Sequence, residues 1–219
     1  YLPKYVVNIK LKSLNLKKHI KPTIVLFIPQ IATQIYTVLD KTMIGAIITD
    51  KNEVGYYEQS QSIVKLLLTV VTSLGTVMLP RIASQFANGK KEQIKNNIMN
   101  SFNFVFFLSI PMCFGIIAVA KDFVPWYLGA GFEKSIKIIY VISPIIVLIS
   151  LSNVIGIQYL LPTKRQKQYT VSVVMGAVCN LILNFIFIFK FKSVGAAIAT
   201  TMAEVVVTSM QCYSIRKEF

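Results

Sequence analysis

Long apolar runs separated by short charged segments make up most of this sequence. A membrane-spanning helix needs about 20 predominantly apolar residues. Six runs meet that length, at about 23–48, 57–79, 98–120, 136–161, 169–189 and 194–213. The pattern predicts an all-α integral membrane protein with six transmembrane helices in one bundle. We divide the chain into a basic segment 1–21, the bundle 22–215 and a tail 216–219.

Three of the predicted spans contain an internal proline. Proline removes one helical hydrogen bond and clashes with the preceding turn, so it kinks or breaks a helix. Pro29, Pro111 and Pro144 lie inside the first, third and fourth runs. We therefore expect kinks or hinges at these positions.

Composition supports the membrane assignment and the charge pattern gives an orientation. Hydrophobic residues make up 54% of the chain and the mean hydropathy is +0.61, which exceeds what a soluble domain carries. The net charge of +14 comes from Lys and Arg collected between the spans, as the positive-inside rule describes, and not from a nucleic-acid-binding face. This distribution predicts a multi-pass membrane protein with both ends of the segment in the cytoplasm; the bacterial plasma membrane is implied only by the family resemblance described below.

Few residues suited to catalysis or metal binding are present. Three cysteines without paired spacing and one histidine offer no disulfide framework or zinc site. We expect no enzymatic activity, no cofactor and no metal. The basic segment 1–21 suits either a stretch lying on the lipid surface or a plain linker. Because the chain begins at Tyr1, we expect it to be part of a longer protein.

Ionisable residues inside the predicted spans are the main functional candidates, because burying charge in hydrocarbon costs at least a few kcal/mol. The four that lie well away from the span ends are Asp40, Lys41, Lys65 and Glu204. With the first turn centred between residues 52 and 53, Asp40 would lie level with Lys65. Glu204 would lie about 15 Å below the outer surface, near the same depth. Two interpretations remain: ion pairs that hold helices together, or a polar cavity for a charged substrate.

Four amide side chains also fall inside the spans. Asn153, Gln158, Asn180 and Asn184 could add hydrogen bonds to a central cavity, or join neighbouring helices to one another. The sequence leaves both interpretations open.

Several segments together resemble one family of membrane transporters. The segments are LFIPQIATQIYTVLDKTMIG, TVMLPRIASQFANGKKE, WYLGAGFEKS, CNLILNFIFIFKF and SVGAAIATTMAE. In this order they resemble the polysaccharide repeat-unit flippases (O-antigen, capsule and teichoic types), whose superfamily also contains multidrug-and-toxin extruders and lipid II flippases. The resemblance covers nearly the whole chain.

The resemblance implies an architecture and a function. Members of this family have two facing six-helix bundles, so the chain would be the second, C-terminal lobe of a MATE-like flippase, with the N-terminal lobe as its partner. Such proteins move undecaprenyl-pyrophosphate-linked oligosaccharide across the plasma membrane by alternating access, alongside other polysaccharide assembly proteins. Lys41 and Lys65 would then face the substrate, and Asp40 and Glu204 would couple an ion or form ion pairs.

Two alternatives stay open. One is a cation-coupled multidrug extruder or lipid II flippase of the same superfamily, and the other is a membrane glycosyltransferase or polymerase. Neither the sugar nor the coupling ion follows from the sequence.

Overall fold

The fold is helical throughout the part of the chain that the structure describes. A computed structural model describes residues 17–218, apart from the side chains of residues 17–22, 25, 26, 30, 35 and 36. Its elements are α1 (Lys17–Ile47), α2 (Asn52–Ala87), α3 (Lys91–Leu128), α4 (Glu133–Ile142), α5 (Ile145–Ser152), a π-helix (Asn153–Leu160) and α6 (Gln166–Ile215). The prediction of an all-helical protein is confirmed for this range. Most of the predicted basic segment 1–21 lies outside the described residues.

Four described stretches are long and apolar enough to cross a membrane: α2, α3, the helical run Glu133–Leu160 and α6. Their helices extend beyond the apolar runs because polar residues at the ends continue the helical hydrogen bonding. Helix α2 continues through Pro80 to Ala87.

The three candidate hinge prolines lie in different surroundings. Pro29 and Pro111 lie within α1 and α3, which continue on both sides of them. Pro144 instead follows the end of α4 and precedes the first residue of α5. Directly after α5, the i→i+5 hydrogen bonds of the π-helix change the helical repeat. The regular α-helical hydrogen bonding is thus interrupted at Pro144, and it changes again at the π-helix that begins at Asn153.

The burial pattern of α3 shows how one helix faces both the bundle and its surroundings. Buried residues recur every three or four positions along it, from Ile94 through Val105 and Cys113 to Val124. This spacing is that of a single helical face. Large apolar side chains occupy the opposite face, where Phe107 is 77% exposed. Exposed phenylalanines on such a face suit contact with lipid chains.

The longest helix, α6, reverses direction at Lys192. Its backbone there has φ 55° and ψ −132°, outside helical geometry. The two arms, 166–191 and 193–215, lie side by side, since Asn180 bonds Thr200 across the reversal at 3.4 Å. A Cβ at Gly195 would collide with the carbonyl group of Phe187, so only glycine permits this close approach. The reversal lies between the predicted spans 169–189 and 194–213.

A buried carboxylate holds this reversal in place. Glu53, at the start of α2, is 1% exposed and accepts hydrogen bonds from the Ser193 hydroxyl and from its backbone N–H. It thereby caps the first turn of the second arm of α6. Lys134 of α4 donates to the other oxygen of Glu53 at 2.7 Å. One side chain thus joins α2, α4 and α6 at this end of the bundle.

We predict that Glu53→Ala destabilises the protein, because it leaves the Ser193 hydroxyl and N–H buried without their acceptor. A loss of about 2 kcal/mol corresponds to a fall of about 4–8 °C in the unfolding midpoint, measured by thermal unfolding in detergent. Lys134→Ala should lower the midpoint by less than Glu53→Ala, because the Lys134 side chain is half-exposed and the Glu53 carboxylate keeps its hydrogen bonds from Ser193. Asp122→Ala, which changes an exposed acid at the same end, is the control. Equal effects of the Glu53 and Asp122 changes would contradict the capping role.

Candidate functional site

One exposed face of α2 is polar along most of its length, in contrast to the exposed face of α3. Its polar residues recur every three or four positions and are Glu58, Ser62, Lys65, Thr69, Ser73 and Thr76, all exposed. We call this set the α2 polar stripe. An exposed lysine facing hydrocarbon is costly. The stripe therefore suits the wall of a hydrated cavity, with Lys65 near its middle.

Behind this stripe lies a fully buried carboxylate. Asp40 of α1 is 0% exposed and its Oδ2 accepts hydrogen bonds from the Tyr57 hydroxyl at 2.6 Å and the Thr200 hydroxyl at 2.7 Å. Its Oδ1 accepts from the Asn184 side-chain amide at 2.5 Å. The carboxylate thus joins α1, α2 and both arms of α6. Three hydrogen bonds from neutral groups compensate part of its burial.

The two asparagines of the first α6 arm extend this cluster. Asn184 also donates to Oδ1 of Asn180 at 3.0 Å, and Asn180 donates to the Thr200 hydroxyl. The spacing of four residues places both amides on the same face of the helix. The Oδ1 atom of Asn184 is buried and has no hydrogen-bond partner among the described residues. An unused acceptor beside a carboxylate leaves room for a further donor or a small cation.

A line of hydrogen bonds connects this buried cluster to the exposed stripe. Lys65 Nζ donates to Gln61 Oε1 at 3.1 Å, and Gln61 Nε2 donates to the Tyr57 hydroxyl at 3.4 Å. Tyr57 in turn donates to Asp40. These three residues of α2 are spaced four apart, one above another on the helix. A charge at Lys65 is therefore linked to the buried carboxylate through two neutral side chains.

Lys41 and Lys65 have different environments. Lys41 forms an ion pair with Glu58 at 2.5 Å, and the two side chains are 31% and 48% exposed. Among the described residues, neither lysine forms an ion pair with Asp40. A partly exposed pair of this kind can be separated at little cost. Lys41 is thus available to an anion only if Glu58 releases it.

The sequence-based depth assignment of Asp40 was wrong. Asp40 lies level with Tyr57 and not with Lys65, which is two helical turns farther along α2. The assignment assumed that residues 49–56 formed a polar loop. The structure instead begins α2 at Asn52, because those polar residues pack as a first helical turn around Glu53, which moves the centre of the turn toward residue 50.

Glu204 and Asn153 lie together at a second polar position. Both line a small cavity of about 140 Å³ that also contacts Tyr169. Glu204 is 4% exposed and lies one helical turn beyond Thr200, about 6 Å along the helix. It therefore lies on the same face of the helix as Thr200 of the Asp40 cluster.

Of the remaining amides, Gln158 joins this second position and not the Asp40 cluster. Its Nε2 donates to Asn153 Oδ1 at 3.2 Å within the π-helix. The Asn153 side chain lies directly against Gly75 of α2, where a Cβ would collide with it. These two amides thus serve helix contact, whereas Asn180 and Asn184 serve the carboxylate.

The sequence analysis missed four residues of this site: Tyr57, Gln61, Thr200 and Glu58. Tyr57, Gln61 and Lys65 form a polar series at intervals of four, and Thr200 precedes Glu204 by the same interval. This periodicity was available in the sequence as a sign of one polar helix face. It was overlooked because Tyr57 was assigned to the very start of a span.

The donor set around Asp40 limits the chemistry of the site. One carboxylate, amide oxygens and hydroxyls are hard oxygen ligands, suited to a proton or a small cation and not to soft metals. Among the side chains that the structure describes, no group of three or more His, Cys, Asp or Glu could hold a metal ion. The site contains a buried charge with exchangeable hydrogen-bond partners, connected to an exposed cation.

Comparison with known proteins assigns the family. The family model described as "Lipid II flippase MurJ" matches residues 2–219. The chain belongs to the MurJ family of flippases. The superfamily expected from the sequence motifs is thereby confirmed.

Individual relatives carry several names. The chain is 25% identical over 214 residues to the "Putative O-antigen transporter" of Escherichia coli (strain K12), covering 97% of this chain and 51% of the relative. It is 26% identical over 178 residues to the "Probable low-salt glycan biosynthesis flippase Agl15" of Haloferax volcanii, covering 81% of this chain and 37% of that protein. The chain thus spans half or less of the length of these curated relatives.

Solved structures agree on the fold. A lipid II flippase MurJ in an inward closed conformation superposes with a TM-score of 0.77 at 20% identity, covering 87% of this chain and 41% of that one. An outward-facing MATE-family multidrug resistance transporter gives a TM-score of 0.76 at 20% identity, covering 89% of this chain and 44% of its own. The MurJ-like and MATE-like helical fold is therefore shared.

We predict that Asp40→Asn leaves the protein stable, whereas Asp40→Ala destabilises it. Asp40→Asn keeps the volume, and the Tyr57 and Thr200 hydroxyls can each accept as well as donate. Asp40→Ala instead leaves three buried donors without an acceptor, a loss of about 2 kcal/mol or a midpoint lowered by about 4–8 °C. Thermal unfolding of both variants in detergent measures this difference. An equal fall for Asp40→Asn would show that the charge itself, and not the hydrogen bonding, holds the helices together.

Proposed function

We propose that this chain is the C-terminal six-helix lobe of a flippase that moves undecaprenyl-pyrophosphate-linked oligosaccharide across the bacterial plasma membrane. The six crossings would be α1, α2, α3, the run 133–160 and the two arms of α6. The chain's coverage of about half of its relatives supports a second lobe, which would face the α2 polar stripe. Opening and closing between the lobes would give alternating access.

The observation that carries this proposal is the connection from exposed Lys65 to buried Asp40. A pyrophosphate brings at least two negative charges, and an ammonium a few Å away is worth about 4 kcal/mol at an effective dielectric near 20. Lys65 lies on the exposed stripe, where such a group would pass. The hydrogen bonds through Gln61 and Tyr57 provide a path by which substrate charge and the state of Asp40 influence each other.

In this mechanism Asp40 is the coupling group and Lys65 the substrate-facing group. Protonation of Asp40, or binding of a small cation beside the unused Asn184 oxygen, would weaken the hydrogen bonds that join α1 to both arms of α6. Lys41, once separated from Glu58, would supply a second cation to the substrate. Glu204, one turn beyond Thr200, would assist the exchange at Asp40.

Transport of lipid II is the second candidate, because the matching family model carries that name. The proposed roles of Lys65 and Asp40 apply to either substrate, since both present a pyrophosphate on a lipid carrier. Complementation of strains lacking an O-antigen flippase or a lipid II flippase distinguishes the two. The multidrug extruder is supported by fold alone, and the named relatives are transporters, which gives no support to a glycosyltransferase.

We predict that Lys65→Ala lowers export of surface polysaccharide by at least about tenfold, because it removes a charge-assisted contact worth more than about 1.4 kcal/mol. Expression should stay normal, since no buried partner loses its counter-charge. Lys65→Arg should retain most activity. Lys137→Ala, which removes an exposed lysine at one end of the bundle, is the matched control. Normal export by Lys65→Ala in the complemented strain would refute the substrate-facing role.

We predict an orientation with the basic end of the bundle in the cytoplasm. In a background lacking Cys113, Cys179 and Cys212, single cysteines at the exposed positions 52 and 133 should react with an impermeant thiol reagent from outside intact cells. Cysteines at the exposed positions 88 and 167 should react only after permeabilisation. The reverse pattern would invert the proposed topology. Ser135 is unsuitable as a reporter because it is fully buried.

A further inference from the structure

A cavity of about 520 Å³ opens at the end of the bundle opposite Glu53. It lies where α2 ends and α3 begins, and the chain near the start and end of α6 closes its other side. Phe86 and Ile94 provide apolar wall, and Lys91, Lys95 and Arg165 provide three positive charges. This cavity shares no residue with the α2 polar stripe or the Asp40 cluster. Its volume falls within the range of small-molecule sites.

Arg165 is held rigidly with one edge directed at an acid. Its Nε donates to Gln168 Oε1 at 2.6 Å and its Nη2 to the Ser214 carbonyl at 2.8 Å. The remaining Nη1 donates to one oxygen of Glu218, and the Tyr159 hydroxyl donates to the other. The Arg165 guanidinium and the Tyr159 hydroxyl thus donate hydrogen bonds to the two oxygens of one carboxylate. This is the arrangement that recognises carboxylates and phosphates.

The two lysines of the cavity are not used by the protein itself. Lys91 and Lys95 are four residues apart on α3 and line the same wall. Neither forms an ion pair with an acid among the described residues. Helix α3 begins at Lys91, so the positive end of its dipole lies at the cavity as well. Two carboxylates line the cavity, Glu92 and Glu218. Glu218 binds Arg165 and Tyr159, and neither acid forms an ion pair with the two lysines.

We propose that this cavity binds a phosphoryl group, with Arg165, Lys91 and Lys95 as its cationic partners and Tyr159 as a hydroxyl donor, in exchange for Glu218. A phosphoryl group has more acceptor oxygens than a carboxylate and carries up to two charges, so it can contact both Arg165 and the lysines. The cavity lies at the end of the spanning helices, where lipid headgroups lie. The ligand is a phospholipid headgroup or a soluble phosphate compound. This inference does not depend on the proposed transport function.

The test measures binding of two probes to the delipidated protein in dodecyl maltoside. Native mass spectrometry counts bound dioleoyl phosphatidylglycerol, and titration calorimetry follows inorganic pyrophosphate. Lys91→Gln with Lys95→Gln should weaken binding at least about tenfold, since two charge-assisted contacts are lost. Glu218→Gln should strengthen binding several-fold, because the internal competitor loses its charge. Arg165 is left unchanged, since it also anchors Ser214.

Lys121→Gln with Lys137→Gln, which removes two exposed lysines nearer the opposite end, is the matched control and should bind like wild type. Binding of the lipid alone identifies a headgroup, binding of pyrophosphate alone identifies a soluble ligand, and competition between them identifies the shared phosphoryl group. Absence of binding by both probes would overturn the proposal. So would weaker binding by Glu218→Gln, or equal binding by the lysine variant and the control. If the double variant is not monodisperse on size exclusion, Lys95→Gln alone carries the test.

Discussion

The hydrogen bonding of Asp40 is the constraint on which the rest of the bundle depends. A carboxylate removed from water must find donors, because the cost of leaving it unsatisfied is several kcal/mol. Here those donors come from α2 and from both arms of α6. Since none of them is charged, the cluster can change its protonation or accept a cation without separating an ion pair. In the proposed mechanism, the same residues that hold the helices together would form the element that alternates between two states.

The bundle has two kinds of exposed surface, and they have opposite requirements. The outward face of α3 carries phenylalanines, which lipid chains solvate well. The α2 polar stripe carries a lysine and a series of hydroxyls, which lipid does not solvate. Hydroxyls in this stripe donate to backbone carbonyls one turn earlier in the same helix, as the Thr69 hydroxyl does to the Lys65 carbonyl at 2.8 Å. These polar groups are therefore satisfied within the helix. In the proposed function, the polar face of α2 would line the substrate path and the phenylalanines of α3 would face the lipid.

The two ends of the bundle also differ. At one end Glu53 fixes the reversal of α6 through Ser193 and Lys134, which gives a closed, acid-centred junction. At the other end three cations and two acids line an open cavity, and Glu218 forms an ion pair with Arg165 but not with either lysine. The first end is suited to hold the helices in place, and the second has unused capacity for an anion.

The sequence by itself determined the helical class, the membrane setting and the positions of the charged residues. Apolar runs of this length require helices in lipid, because every backbone group must be bonded within its own segment. The family motifs also follow from local sequence, and so does the turn near Lys192.

The tertiary structure alone decided which polar residues meet. Asp40 contacts Tyr57 and not Lys65 because α2 begins at Asn52, five residues earlier than the predicted span, which shifts the residues that lie level with each other across the helix pair. Helix rotation decides which amides meet the carboxylate. Asn180 and Asn184 do so, whereas Asn153 and Gln158 contact each other at the π-helix. Helix rotation is poorly specified by sequence in a membrane protein, because lipid-facing and core-facing residues are equally apolar and the usual amphipathic signal is lost.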